Sequence, residues 1–375
     1  MITSPVKKSS RHVESDGAQC DAYDQAELWC RERTSSGHDM LFSRQIFHNE
    51  IKTASNNFGL PFEAIHSLFR NAHVSYMKRT SHMLKSQTTR HVQSYLNGAS
   101  ILNIAKKVNY PPSMMARLIV ENVANNSSSN ELENTLGVNV SNRKFITEAI
   151  RHPEKELGDA STSVSPEYLF SESKGRSVHK EKGDNDLQYI PLSRLSLEVR
   201  EAVDSDPMYG PHHDRMRHTI GIDYELLLEQ MLHSMQIPFE TEEELRARGT
   251  ARTPDILLSC PLGLQVRKTN YHQIAELHES DIDVENSDEY EWKMICWIDS
   301  KALYGDVGTH TSSVLPQVES YVHRFGPGLV IYWFGHAPLS RLGDSHGDVL
   351  IRDGLPDVFM LPTGEFRRKN GQNNT

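Results

Sequence analysis

From about Leu41 the chain alternates apolar and polar positions with a helical period. Phe42, Ile46, Phe47, Ile51 and Phe58, then Ile65, Leu68 and Phe69, recur at three- and four-residue spacings and predict short amphipathic helices. Residues 101–123 predict two more. Ile101, Ile104 and Ala105 make one apolar face, residues 108–112 interrupt it, and Met115, Leu118 and Ile119 resume it. Pro112 and Ser113 suit a helix start, because a proline there gives up an N–H that has no partner anyway. A small Ala105, a short turn and an apolar second helix match a helix-turn-helix, with a plain helical hairpin as the alternative. Tyr224, Leu227, Leu228, Met231, Leu232 and Met235 form the clearest helical stripe. Beyond it the period changes. Residues 256–258, 293–298 and 328–334 are apolar runs of strand length, a helix is expected over 317–325, and residues 349–351 and 358–361 predict edge strands. Helix, strands, helix, strand is the order of an α/β layered structure with a central sheet.

Polar stretches divide these patterns. Residues 1–37 contain few branched aliphatics and predict a loosely ordered tail. Residues 125–130 and 158–186 read as linkers. Another polar insert spans 267–291, where residues 276–291 hold eight acidic side chains and no Lys or Arg, the signature of a solvated loop. The implied organisation is a tail (1–40), a helical, helix-turn-helix-like domain (41–150), a linker (151–188), a sheet domain (189–363) carrying the acidic insert, and a second tail (364–375).

Charge adds an asymmetry. The net charge is −10, yet residues 1–125 carry 15 basic and 10 acidic side chains against 25 and 40 in residues 126–375. Residues 70–90 contain five basic side chains and no acidic one. A basic helical half fits nucleic-acid contact, although solvated helix faces give the same balance. Four cysteines (Cys20, Cys30, Cys260, Cys296) without a C-x-x-C spacing argue against a disulfide scaffold and a structural zinc site. The longest apolar run, residues 328–335, falls far short of the ~20 residues of a membrane span. No secretory signal is expected from residues 1–10.

The chemistry concentrates in the sheet domain. Pro254-Asp255 opens one strand, and Asp299-Ser300-Lys301 closes a neighbouring one. Two carboxylates brought to about 4 Å repel by about 4 kcal/mol at an effective dielectric near 20, so a fold avoids that arrangement unless a cation sits between them. Oxygen-only ligands suit Mg²⁺ or Mn²⁺. Asp299 and Lys301 share one strand face because side chains alternate. Lys301 is thereby placed to orient an attacking water and to stabilise charge on a phosphoryl oxygen. Ser300 points the other way and is expected to contribute its backbone carbonyl. Glu225, early in the preceding helix, is the natural third acid, with Glu229 as the fallback. Gln317 and Tyr321, spaced i, i+4, share a helix face from which they could contact a phosphate or order Lys301.

The ordered set Glu225, Asp255, Asp299, Lys301, Gln317 and Tyr321 resembles the PD-(D/E)XK nuclease superfamily, including its Gln-x-x-x-Tyr helix. Thr253-Pro254-Asp255, residues 297–302, residues 304–306 and residues 324–333 resemble its TPD-motif group and, within that group, the codanin-interacting nuclease family. The resemblance implies an α/β, restriction-endonuclease-like core preceded by an all-α helix-turn-helix region, and a Mg²⁺- or Mn²⁺-dependent nuclease. Asp255, Asp299 and Glu225 would hold the cation, with DNA the expected substrate. It also implies a codanin-like partner and residence in nucleus and cytoplasm, and it leaves a homodimer open. Asp299 stands where family members can carry Glu. The rival reading keeps the fold as a non-catalytic binding module for the codanin-like partner.

Overall fold

The computed structural model describes residues 16–36, 39–126, 143–157, 192–267, 290–342 and 348–369. Most of the expected linker and of the acidic insert therefore lies outside the described residues. Helices α1 (Asp16–Ser35), α2 (Arg44–Phe58), α3 (Phe62–Ser86), α4 (Thr88–Leu96), α5 (Ile101–Val108), α6 (Pro112–Asn126), α7 (Arg143–Arg151), α8 (Pro153–Leu157), α9 (Leu192–Ser205) and α10 (Pro211–Ser234) come first. Strand β1 (Phe239–Thr241), helix α11 (Glu242–Ala247), β2 (Ile256–Arg267), β3 (Tyr290–Lys301), α12 (Leu315–Phe325), β4 (Gly328–Tyr332), β5 (Val349–Arg352), β6 (Val358–Met360) and β7 (Phe366–Arg368) follow. Among the described residues no helix is long and apolar enough to cross a membrane.

Two compact units result, and they are not consecutive in sequence. The linear division into a helical half and a sheet half misses this interleaving, because contacts rather than chain order define a unit. One unit joins residues 31–53 to 72–216 and is helical. Its core is built from Val92, Tyr95, Ile101, Ile104, Ala105, Met115, Ile119, Phe145, Ile146, Leu195 and Val199. The predicted pair of helices over 101–123 is present as α5 and α6. Ser100 caps α5 by accepting the Asn103 N–H, and Asn109 ends it in a left-handed conformation at φ 51°. Buried Asp206 ties the unit together, its carboxylate accepting N–H bonds from Ser113 (3.0 Å), Met208 (2.9 Å) and Tyr209 (2.7 Å).

The other unit joins residues 16–30, 54–71 and the chain from 217 onward around one mixed seven-stranded sheet. Its strand order is β5-β4-β3-β2-β6-β7, with β1 also paired to β2. β3–β4 and β4–β5 are parallel, and the other pairings are antiparallel. Leu228 and Leu232 of α10 join Ile256, Ile298, Leu329 and Ile331 in a dry cluster on one sheet face. Between Leu257 and Leu262 the β2–β3 register slips. Pro261 lies in this slip and has no N–H for a ladder bond.

Several expectations need correcting. Residues 16–35 form α1 rather than a tail. Tyr23, Ala26 and Cys30 are buried along it, and the small size of two of them hides the stripe from an apolar count. The linker's first residues form α8, with Pro153 and Leu157 buried. β6 is no edge strand, because β7, inside the expected second tail, pairs with it through Val358↔Arg368, Phe359↔Arg367 and Met360↔Phe366.

His73 in α3 is fully buried, with Nδ1 2.9 Å from the Tyr209 hydroxyl, and burial lowers its pKa to about 4. The unfolded chain binds this proton below about pH 6.5 and the folded chain only near pH 4, so stability falls as pH drops through that window, by about 3 kcal/mol in all. Urea unfolding at pH 7 and pH 4.5 is expected to show a smaller acid loss for His73→Gln than for the parent. Equal losses would contradict this assignment.

Candidate active site

The site begins at the turn before β2. Thr253 is buried and its hydroxyl donates to Glu242 Oε1 at 3.2 Å, while the Glu242 N–H donates to the Asp255 carbonyl at 3.0 Å. α11 is held in turn by a capping box between Thr241 and Glu244. The preceding Arg252 adopts φ 52°, a left-handed conformation that side chains take only under constraint. The Thr-Pro-Asp turn is therefore fixed at both ends.

β2 then pairs Ile256 with Ile298, which sets Asp255 opposite Asp299, one step beyond that pair. Opposed residues carry Cβ atoms about 4.5–5.5 Å apart on the same sheet face. Lys301 is two residues on and shares that face. The next strand contributes Val330 opposite Asp299 and Tyr332 opposite Lys301. The three residues singled out from sequence, Asp255, Asp299 and Lys301, are thus brought together, on the face away from the Leu228 cluster.

Asp299 is 0% exposed. Lys301 Nζ lies 2.6 Å from its Oδ2, and beyond this ion pair neither carboxylate oxygen has a hydrogen-bond donor among the described residues. Asp255 Oδ2 accepts the Ser300 N–H at 2.7 Å. Ser300 thus contributes its N–H to the acidic pair, and its hydroxyl accepts from Trp333 Nε1 at 2.8 Å. Loss of solvation, and then the charge of Asp299, hold the Asp255 carboxyl well above the usual carboxylate range, with Lys301 opposing. Burial by itself would lower the pKa of Lys301. Asp299 and Asp255 reverse that and raise it, so Lys301 is an ammonium in this state.

Gln317 and Tyr321 meet as their spacing predicts, with Gln317 Nε2 donating to the Tyr321 hydroxyl at 2.6 Å. Burial and then Asp299 push the Tyr321 phenol up to about 12. Trp297, also fully buried, meets the Tyr321 ring edge-on at 5.4 Å and donates from Nε1 to the Gly326 carbonyl at 2.7 Å. Its indole covers Gly328, where a Cβ would lie 2.0 Å from the ring, so only glycine fits. Glu225 is exposed as a residue. Its carboxyl is shielded enough that burial, then Glu242, raise its pKa, while Lys301 lowers it and Asp299 adds to the rise. Glu229 is a further acidic neighbour of that carboxyl.

Among the described residues no three His, Cys, Asp or Glu side chains are gathered closely enough to hold a metal ion by themselves. The donor chemistry nonetheless fits a hard divalent cation. Asp299 presents two buried oxygens that no donor but Lys301 reaches among the described residues, Asp255 faces it, and Mg²⁺ commonly takes one or two carboxylates and completes its shell with water and substrate phosphate. Sequence reasoning missed Trp297 and Tyr332 as parts of this wall. Their signal was their place on the Asp299 parity of apolar strands, and periodicity alone does not separate a wall residue from a core residue.

A mixed sheet presents an acidic pair and a lysine after a Thr-Pro-Asp turn, and the same sequence motif describes a known family. A family model described as a protein of unknown function with the TPD sequence motif matches residues 191–355. CDAN1-interacting nuclease 1 of Bos taurus is 30% identical over 278 residues, covering 72% of this chain and 74% of the relative. The Homo sapiens protein of that name is 29% identical over the same length, and the Danio rerio one is 26% identical over 328 residues, covering 84% and 86%. The chain belongs to the CDAN1-interacting nuclease 1 family. No solved structure matches it.

Removing the cation of a buried pair leaves an uncompensated carboxylate, at a cost of about 3–5 kcal/mol. Thermal unfolding in EDTA is expected to show Lys301→Ala well below the parent, with Asp299→Asn added to it recovering part of the loss. A double variant less stable than Lys301→Ala would contradict the pairing.

Proposed function

We propose that this chain is a metal-dependent nuclease that hydrolyses phosphodiester bonds, with DNA the expected substrate, on a sheet core of the PD-(D/E)XK type. One observation carries the reading: two opposed carboxylates, one of them buried with no donor but the neighbouring lysine among the described residues, stand on one sheet face. A fold with no use for a cation there would lose stability by keeping both acids. The family's printed name, a nuclease, agrees.

Asp255 and Asp299 would hold Mg²⁺ or Mn²⁺, and Glu225, whose carboxyl responds to Lys301 and Asp299, would complete the acidic edge. When bound, the cation would polarise the scissile phosphate and lower the pKa of an attacking water. Lys301, paired with Asp299 in this structure, would turn from it towards that water and offer positive charge to the phosphoryl oxygens as they gain charge. The Ser300 N–H fixes the rotamer of Asp255. Gln317 locks the Tyr321 hydroxyl beside the lysine, which keeps the reacting geometry tight. The helical unit, with the α5–α6 pair in the role of a helix-turn-helix, supplies nucleic-acid contacts outside the site.

The relatives are named for interaction with CDAN1. We extend this to the present chain as binding of a codanin-like partner in nucleus and cytoplasm. A scaffold that only binds that partner is the second reading.

Asp255→Asn keeps an oxygen for the Ser300 N–H and removes one charge, so it separates the two readings. Digestion of single-stranded, duplex, flap and four-way DNA and RNA is expected to be Mg²⁺-stimulated in the parent, abolished by EDTA, and about 10²-fold slower in the variant. Parent activity retained in Asp255→Asn would overturn the site. No cleavage of any substrate together with intact partner pull-down would favour the scaffold.

A further inference from the structure

Beside the Thr-Pro-Asp turn stands a pair of cations that the proposed reaction does not use. The chain leaves α11 through Gly249 and reaches the turn by way of Ala251 and Arg252. Two backbone bonds close the start of this loop, from the Gly249 N–H to the Arg246 carbonyl at 2.9 Å and from the Thr250 N–H to the Leu245 carbonyl at 3.0 Å. Buried Thr253, bonded to Glu242, closes its end. Two of its residues are left-handed, Gly249 at φ 81° and Arg252 at φ 52°. At the first the chain has glycine, which enters that region without strain. At the second it has arginine, and strain of this kind clusters at ligand-binding positions. Arg252 is exposed and has no carboxylate partner among the described residues. Its neighbours Arg246 and Arg248 differ, each lying 2.6 Å from a carboxylate, that of Glu242 and that of Glu240 respectively.

A second guanidinium reaches the same loop from α12. Gln317, Tyr321 and Arg324 follow i, i+4, i+7 spacing and so share one face of that helix. From the end of this face Arg324 Nη1 donates to the Ala251 carbonyl at 2.6 Å. That carbonyl belongs to the peptide bond joining Ala251 to Arg252, so the Arg324 guanidinium lies against the Arg252 backbone. It also sits over the Phe325 ring, 5.2 Å from the centroid. Arg324 too is exposed and without a carboxylate partner among the described residues. The loop is thereby placed at the rim of the site. It continues into Thr253 and Asp255, and the helix face that holds it carries the Gln317–Tyr321 pair. Three residues span at most about 11 Å, which bounds the distance from Arg252 to Asp255.

Two guanidinium groups gathered without a counter-charge repel as two carboxylates do, and an anion between them removes the repulsion. The planar fork of arginine matches the oxygens of a phosphate. We infer that Arg252 and Arg324 together clasp a backbone phosphate of the nucleic-acid strand, neighbouring the phosphate that is cut at the Asp255–Asp299 cation site. Arg324 locks the loop and shares the anion with Arg252. The inference rests on the proposed nuclease reading and adds a substrate contact to that site.

The test is binding of fluorescein-labelled single-stranded and duplex DNA to the full chain, read by fluorescence anisotropy in Ca²⁺ over a series of KCl concentrations, with cleavage of the same DNA in Mg²⁺ alongside. Arg252→Gly is expected to melt no lower than the parent, because glycine relieves the left-handed strain. It should nonetheless bind DNA about tenfold more weakly at about 0.1 M KCl, with the slope of log affinity against log salt reduced by about one. Arg252→Lys, which keeps the charge, should keep that slope. Arg324→Gln should weaken binding to a similar degree, and the double variant by less than the product of the two losses, because both side chains address one phosphate. A purely structural role for Arg252 predicts parent affinity once the strain is relieved. Parent affinity and slope in Arg252→Gly, a loss that does not vary with salt, or losses that multiply in the double variant would overturn the inference. If the parent cleaves DNA and the variants bind as it does, only the clasp fails. If the variants lose binding as stated and the parent cleaves nothing, the clasp stands and the nuclease reading fails. A parent that binds neither DNA overturns the clasp.

Discussion

Two acids, Asp255 and Asp299, face each other across the β2–β3 ladder where one of them has no contact with water, and the surrounding structure answers that repulsion. Lys301 supplies a neighbouring positive charge, and the Ser300 N–H supplies one hydrogen bond. The register that opposes the two carboxylates is fixed by the Thr253–Asp255 turn, which α11 anchors through Glu242. One apolar residue in place of either acid would remove the repulsion. The presence of both acids, with Lys301 the one donor to Asp299 among the described residues, is the strongest physical indication of a ligand at this point.

The wall of the site shows how close packing serves the same arrangement. Trp297, Asp299 and Lys301 share a strand parity, so the residue that anchors the strand in its covering helix and the residues that carry charge are separated by single steps. Gly328 leaves room for the indole, the indole supports Tyr321, and Gln317 sets the phenol. Each contact restricts the next, which is what a site needs if its reacting groups are to be held within fractions of an ångström.

Much of this was legible in the sequence because it depends on local spacing. The period of two places Asp299 and Lys301 on one face, and the i, i+4 spacing joins Gln317 to Tyr321 without knowledge of the fold. The α10 stripe and the apolar runs of β2, β3 and β4 were equally plain. What could not be read depends on contacts distant in sequence or on small residues. α1 escaped notice because Ala26 and Cys30 add little to an apolar count, although both are fully buried. β7 was hidden in the polar segment Phe366–Arg368, since pairing with β6 asks for backbone hydrogen bonds and not for apolar side chains. Asp306 belongs to the TPD-like pattern, but its partners Ser67 and Asn71, and the Tyr332 hydroxyl beside His310, lie too far along the chain for spacing to join them.

Helices and sheet alone do not distinguish an enzyme from a scaffold on the same architecture. The proposed nuclease reading turns instead on what occupies the space between the Asp255 and Asp299 carboxylates. Crystals soaked in Mn²⁺ and measured at its absorption edge put that claim to the test. The account predicts one anomalous peak bridging the Asp255 and Asp299 carboxylates, about 2 Å from an oxygen of each, with the Lys301 ammonium displaced from Asp299. A map without density there, Lys301 still clasping Asp299 and the ion elsewhere or absent, would contradict it.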